Sequence, residues 1–221
     1  RFSNVNGFTF SIIGNFDEAT IRPLVCKYIA SLPGKGKSVK VTDKRTYFKG
    51  NVVKDFKRKM ETPQPIVIEV IHAPVEYTLE NCVLAEYTGE VLSQMLLKDV
   101  REDAGAAYTC GGYLSLTPYK FGSELIMQAY APVSVPEKVD LALELIKKDI
   151  DKLAESADAE IVAKVKANLL KDADVNAKKN GHWAGIISEY SMFGFDGQTE
   201  YKKIVEAVTP EKISAFLKNA I

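Results

Sequence analysis

The stretch from Thr78 to Gly112 constrains this chain more than any other. Val83, Leu84, Tyr87, Val91, Leu92, Met95 and Leu96 recur at helical spacing in a helix that Thr78 starts, with Glu80 in its first turn. This long amphipathic helix ends in Arg101-Glu102-Asp103. Gly105 then punctuates a short turn, and Tyr108 opens a segment, Tyr108–Leu116, that reads as a strand. A guanidinium at a helix end and a phenol at the start of the next strand are neighbours across the turn and can face one cleft. Arg offers a rigid fork of donors and Tyr a neutral hydroxyl donor, a pairing suited to a peptide carbonyl or a developing oxyanion. The competing reading has Arg101 offsetting its own helix dipole and Tyr108 as a half-buried strand aromatic. Spacing alone leaves both open.

The rest of the chain supplies layers for that unit to pack into. Phe8–Ile13 alternates and reads as a strand, ended by Gly14-Asn15. A helix follows with Ile21, Leu24, Val25, Tyr28, Ile29 and Leu32 on one face. Its start is better placed at Thr20 than at Asp17, because Pro23 then falls in the first turn; the alternative is a kink. Pro33-Gly34 stops it. Thr46–Lys49 and Val52–Lys57 look like short strands around Gly50. Ile66–Ile71, introduced by Pro65, is near-continuously apolar and is expected to be a central strand. Tyr108–Leu116 and Ser123–Ala131 pair through a turn at Thr117-Pro118, and their alternation predicts a sheet covered by helices on one face.

Ser134 to Glu137 fits a capping box, opening a helix that buries Val139, Leu143, Ile146, Ile150 and Leu153. Asp158 caps another, with Ile161, Val162, Val165 and Leu169 inward. A third follows Asn180-Gly181, carrying Trp183, Ile186, Ile187, Tyr190 and Phe193, and Thr209-Pro210 opens the last. Strands, a helix, strands and then several helices in sequence predict an α+β fold: one sheet with helices packed on it.

At 221 residues and 46% hydrophobic content the chain can bury a sizeable core. Lys+Arg and Asp+Glu balance at 29 each, so no global field directs it to nucleic acid. No apolar run approaches the roughly 18 residues a membrane span needs. Charge is uneven only locally. Residues 34–59 hold ten Lys or Arg against Asp43 and Asp55, a net +8 that reads as a solvated linker and exposed strand, or else as a patch for an anionic partner. The three cysteines, Cys26, Cys82 and Cys110, are odd in number and widely spaced, which points to core thiols rather than a disulfide framework.

A catalytic zinc needs two or three imidazole or carboxylate ligands converging on it. This chain has only His72 and His182, far apart and in neither H-E-x-x-H nor H-x-x-E-H. Both read as structural. There is no G-x-S-x-G elbow, and Gly111-Gly112 lacks the Lys-Ser/Thr of a phosphate loop. The two glycines more plausibly let a strand bulge or approach another backbone closely. The chain thus has groups able to hold a polar substrate and no evident catalytic engine.

Phe-Ser-Ile-Ile-Gly-Asn-Phe-Asp (10–17), Tyr-Ile-Ala-Ser-Leu-Pro (28–33) and Val-Arg-Glu-Asp-Ala-Gly-Ala-Ala-Tyr (100–108), in that order, resemble the pitrilysin/insulinase family of zinc metallopeptidases. Asn-Gly-His-Trp (180–183) and Val-Thr-Pro-Glu-Lys-Ile (208–213) fit the same family's bacterial branch. The resemblance implies the repeated α/β domain of pitrilysin- and mitochondrial-processing-peptidase-like metallohydrolases, arranged as two halves that close around a peptide. It implies that zinc is bound by the amino-terminal half and none by this chain. The carboxy-terminal half would contribute substrate-binding and transition-state-stabilising groups: Arg101 holding backbone carbonyls, Tyr108 donating to the scissile carbonyl or the tetrahedral oxyanion.

On the same resemblance, residues 1–33 correspond to the closing strand and helix of a preceding repeat, 34–45 to a basic linker and 46–221 to the last domain. The expected partners are the zinc-bearing half, in the same polypeptide or a second subunit, and a peptide substrate. The expected setting is a bacterial periplasmic or membrane-associated parent. The chain opens at Arg1 and stops where the family usually adds a final strand, so a piece of a longer parent is expected. The alternative within the family is a catalytically inactive scaffold or partner subunit.

Overall fold

A computed structural model describes residues 4–37, 42–118 and 122–221. Its centre is an antiparallel sheet of β1 (Ile66–Pro74), β2 (Gly111–Thr117) and β3 (Glu124–Pro132), in the order β1-β3-β2. Helix α1 (Glu18–Tyr28) precedes the sheet. Helix α2 (Leu79–Leu96) joins β1 to β2, and α3 (Val139–Glu155), α4 (Ala159–Asn176), α5 (Asn180–Phe193), α6 (Gly197–Ala207) and α7 (Pro210–Lys218) follow β3. This is the expected α+β segregation.

The pleat decides which side of the sheet is dry. Val67, Ala73, Leu125, Met127, Ala129, Ala131 and Leu114 turn to one face and are buried beneath α2 and α3. Opposite pairs Ile68 and Tyr130, and Val70 and Gln128, turn to the other face, where Ile66, Ile68, Val70 and Tyr113 are exposed. One face is covered by helices, as the alternation predicted.

Helix α2 lies unusually close to β2, and small residues on both partners permit it. A Cβ on Gly112 would sit 2.6 Å from the Leu92 side chain, and one on Gly89 would sit 3.0 Å from the Leu114 backbone nitrogen. Ser93 uses the proximity: its hydroxyl accepts from the Gly112 amide at 2.9 Å and donates to the Gly112 carbonyl at 2.8 Å. All seven residues expected on the inner face of α2 are buried. The Tyr87 hydroxyl donates to the Val162 carbonyl at 2.6 Å, tying α2 to α4 without leaving a buried polar atom unpaired.

Caps match the sequence at several helices. The Thr78 side chain accepts from the Asn81 amide, Asp158 from Glu160 and Ile161, and Thr209 from Lys212, with Pro210 in the first turn. Elsewhere the structure corrects the expectation. Helix α1 is capped by Asp17, which accepts from both the amide and the hydroxyl of Thr20 at 2.8 Å, and Pro23 is carried inside the helix. The carboxylate cap takes two donors, and the proline forfeits a single backbone bond.

The expected capping box at Ser134 does not form. Pro136–Lys138 is a 3₁₀ turn with no side-chain cap, and α3 starts after it. Ile66–Ile71 lies in an edge strand among the described residues, because β3 and not β1 takes the middle place. Phe8–Ile13, Thr46–Lys49 and Val52–Lys57 belong to no strand and join no described sheet. Alternation proposes a strand, and only a neighbour with a free edge completes one. Cys26 is exposed and Cys82 half-buried, so of the three expected core thiols only Cys110 is one. Residues 1–3, residues 38–41 of the expected linker and residues 119–121 after the turn at Pro118 lie outside the described residues.

Gly112→Ala should destabilise the chain by about 1–3 kcal/mol, the usual cost of forcing extra volume into a packed contact. Urea denaturation measures it, and an unchanged midpoint would contradict the close approach of α2 to β2.

Candidate functional site

Helix α2 does not end as an ordinary helix. Leu97–Asp103 continues it as a π-helical segment, and the Ala104 amide closes the segment by donating to the Asp99 carbonyl at 3.2 Å. π-Helical turns are rare, and where they occur they often re-aim a side chain at a functional position. Arg101 rides on this one.

The chain then reverses at Gly105, whose φ of +55° falls in the left-handed region that glycine adopts without a Cβ penalty. The reversal is anchored from a distance. Lys138 Nζ donates to the carbonyls of Ala104 and Gly105, each at 3.0 Å. The Ser134 amide donates to the Ala106 carbonyl at 2.8 Å, and Ala107 bridges Val133 in antiparallel fashion. A cation at the carbonyl end of a helical segment also suits its dipole.

Tyr108 therefore lies in the loop before β2, not at the start of a strand, since β2 begins at Gly111. It is 81% exposed rather than half-buried. The Arg101 guanidinium carbon stands 5.3 Å from the Tyr108 ring centroid, a cation–π distance. The two residues singled out from the sequence are thus adjacent, both exposed and both on one anchored turn. Beneath them Cys110 donates to the Leu96 carbonyl at 3.1 Å. Burial raises its thiol, Arg101 pulls it down and Asp149 pushes it up.

What the pair can do follows from its groups. The guanidinium keeps donors free for a carbonyl or carboxylate while its face covers the ring. The phenol is free to donate one hydrogen bond. A peptide backbone laid across this turn would meet a fixed cation and a neutral donor.

The residues present do not fit a zinc ion. Nε2 of His72 is 3.3 Å from the Phe48 carbonyl, and its ring lies against Tyr47 at 4.2 Å. Nε2 of His182, on α5, is 3.5 Å from the Gln198 side-chain oxygen. Neither histidine has a second or third donor converging with it: among the described residues no group of three or more His, Cys, Asp or Glu could hold a metal. No described helix is long and apolar enough to cross a membrane.

A separate cavity of about 400 Å³ opens between α2, α4, α5 and α6. Glu86, Glu90, Asp172 and Glu189 line it over an apolar floor that includes Val165 and Leu169. Burial raises the Glu86 carboxyl, against the Tyr201 hydroxyl that donates to it at 2.9 Å. Neither Arg101 nor Tyr108 reaches this cavity. The sequence reading did not anticipate it, nor Lys138 as the anchor of the turn. Both depend on residues brought together from distant segments, and no local pattern marks them.

The fold is that of solved proteases. The periplasmic protease PqqL from Escherichia coli superposes with a TM-score of 0.69 at 19% identity, over 93% of this chain and 23% of that one. A protease from Helicobacter pylori gives 0.62 at 16% identity, over 93% of this chain and 50% of that one. A peptidase M16 inactive domain from Pseudomonas fluorescens gives 0.60 at 12% identity, over 94% and 49%. The chain thus spans about a quarter to a half of these proteins' lengths. Among curated proteins none shows a significant sequence match. The model of the peptidase M16 inactive domain matches residues 4–169, and the chain belongs to that family.

Replacing Lys138 with Met should loosen the turn that holds the pair. Amide hydrogen exchange at Ala104 and Ala106 should quicken about tenfold, matching a loss of roughly 1.4 kcal/mol of local stability. Equal protection in the variant would show that Lys138 does not anchor the segment.

Proposed function

We propose that this chain is the zinc-free half of a zinc-dependent endopeptidase and supplies Arg101 and Tyr108 to a zinc site on the other half. The observation that supports this most is the placement of Arg101 over the Tyr108 ring at 5.3 Å, with both side chains exposed on an anchored turn. Structural residues are seldom presented in this way. A dipole-compensating arginine has no need of a π-helical segment, and a packing tyrosine would not be left open to solvent.

In the reading proposed, the reaction's metal and general base come from the zinc-bearing half. This chain's part is to bind and orient. Arg101 holds backbone carbonyls of the peptide through its fork of donors. Tyr108 donates its hydroxyl proton as a hydrogen bond to the oxygen of the carbonyl under attack, strengthening as negative charge develops there.

Residues 1–33 are proposed to complete a preceding repeat, with 34–45 as a linker. In support, α1 buries none of its residues, and Phe8, Phe10, Ile12, Leu24 and Tyr28 are exposed. An apolar stretch left open in this way suits contact with another part of the parent. The solved similarity to a periplasmic protease favours a periplasmic parent.

The test combines this chain with the zinc-bearing half of its parent and follows cleavage of a peptide. Activity is expected only on mixing. Tyr108→Phe should lower the rate about 10²-fold, the loss expected for one oxyanion donor. Arg101→Ala should weaken peptide binding as well as slow turnover. An unchanged rate in Tyr108→Phe removes that residue from the mechanism. Cleavage by this chain alone, stopped by a chelator, overturns the proposal of a zinc-free half.

A further inference from the structure

Residues 46–64 form neither helix nor strand, and all of them are exposed. Phe56 at 88% and Val53 at 84% are the most exposed large hydrophobic side chains among the described residues, and Phe48 is 62% exposed. Lys49, Lys54, Lys57, Arg58 and Lys59 are interspersed with them against Asp55, a net +4 over residues 46–60. Among the described residues none of these five cations forms an ion pair. Lys54 Nζ stands 4.1 Å from the Phe48 ring centroid, so basic and apolar groups share one surface.

The sheet holds this segment at its base. The Tyr47 ring lies 4.2 Å from the His72 ring on β1, and the Phe48 carbonyl is 3.3 Å from His72 Nε2. Arg45, paired with Asp43 at 3.0 Å, also stands 4.0 Å from Glu124 on β3. Beyond Phe48 the chain turns at Gly50, where φ is +71° and an added Cβ would meet nothing within 4 Å. A spacer needs charge to stay solvated, but it has no need of Phe48, Val53 and Phe56 in solvent.

A fitting partner offers negative charge and, beside it, an apolar layer. An acidic protein or a polyanion offers the charge alone. Nucleic-acid bases stack on aromatic faces, but Val52, Val53 and Met60 have none, and Lys54 already stands over the ring of Phe48. The boundary between anionic headgroups and acyl chains supplies both needs: phosphates for Lys and Arg, and apolar depth for Phe and Val. Lysine stems lie along such a boundary while their ammonium groups stay at headgroup level.

We propose that residues 46–60 are a docking surface for an anionic lipid bilayer. Val53 and Phe56 enter the boundary between headgroups and acyl chains, and Lys49, Lys54, Lys57, Arg58 and Lys59 meet the lipid phosphates. The contact lies on the membrane and does not span it. It does not depend on the roles proposed above for Arg101 and Tyr108.

The experiment is co-sedimentation of the 221-residue chain with phosphatidylcholine vesicles and with vesicles that also contain phosphatidylglycerol, each at low and high salt. Binding is expected only to the anionic vesicles, with release at high salt. Lys54→Gln, Lys57→Gln and Arg58→Gln together should weaken binding by about 10²-fold, since each cation near an anionic surface contributes separately. Val53→Ser with Phe56→Ser should weaken it by about tenfold at unchanged charge.

All the substituted side chains are exposed, so thermal unfolding should not change. Should a variant fail to fold, the lipid and salt dependence of the wild type decides the matter. No binding to anionic vesicles overturns the proposal, and so does equal binding to both kinds of vesicle. Binding that the Val53/Phe56 double variant leaves intact, with equally tight binding to heparin, shows a general polyanion site and overturns the bilayer as occupant. Loss of vesicle binding once the zinc-bearing half is added shows that this face is internal to the parent and overturns it as well.

Discussion

The close seating of α2 on β2 is the contact from which the rest of this molecule follows. Ser93 bonds both polar groups of the Gly112 backbone, and Gly89 and Gly112 remove the side chains that would hold helix and strand apart. Once α2 is fixed in depth and rotation, its buried face meets the sheet on one side and α3, α4, α6 and α7 on the others. Its last turns must then pass over the top of β2 before the chain can reverse into that strand. The π-helical segment is where this passage occurs.

That geometry explains why a short piece of chain carries so much. From Val100 to Tyr108 several residues have separate tasks. Val100 fills the core and Arg101 turns outward. Gly105 reverses the backbone, Ala106 and Ala107 are buried, and Tyr108 returns beneath the guanidinium. Anchors from beyond β3, at Ser134 and Lys138, add to the turn's own backbone bonds from Ala104 and Ala106. A rigid scaffold presenting exposed polar groups on a turn is a common basis for binding sites.

The described residues of this peptidase M16 chain are unevenly packed. The part from β1 onward has a continuous core. The segment before it offers apolar side chains to solvent, and one sheet face is likewise uncovered among the described residues. The chain spans about a quarter of the length of PqqL.

The sequence by itself determined the elements whose signals are local. The α2 face was legible because seven apolar residues at helical spacing admit one burial pattern, and Thr78, Asp158 and Thr209 were legible as caps because their oxygens reach amides two or three residues on. Arg101 and Tyr108 stood out because one turn separates them. Tertiary structure alone decided what depends on a neighbour: that Phe8–Ile13 finds no described strand to pair with, and that Ile66–Ile71 takes an edge. It also decided that α2 ends in a π-helical segment and that Lys138 reaches back to Ala104. The Lys138 contact joins residues more than thirty positions apart, and periodicity reports a residue's own face without reporting what will be packed against it.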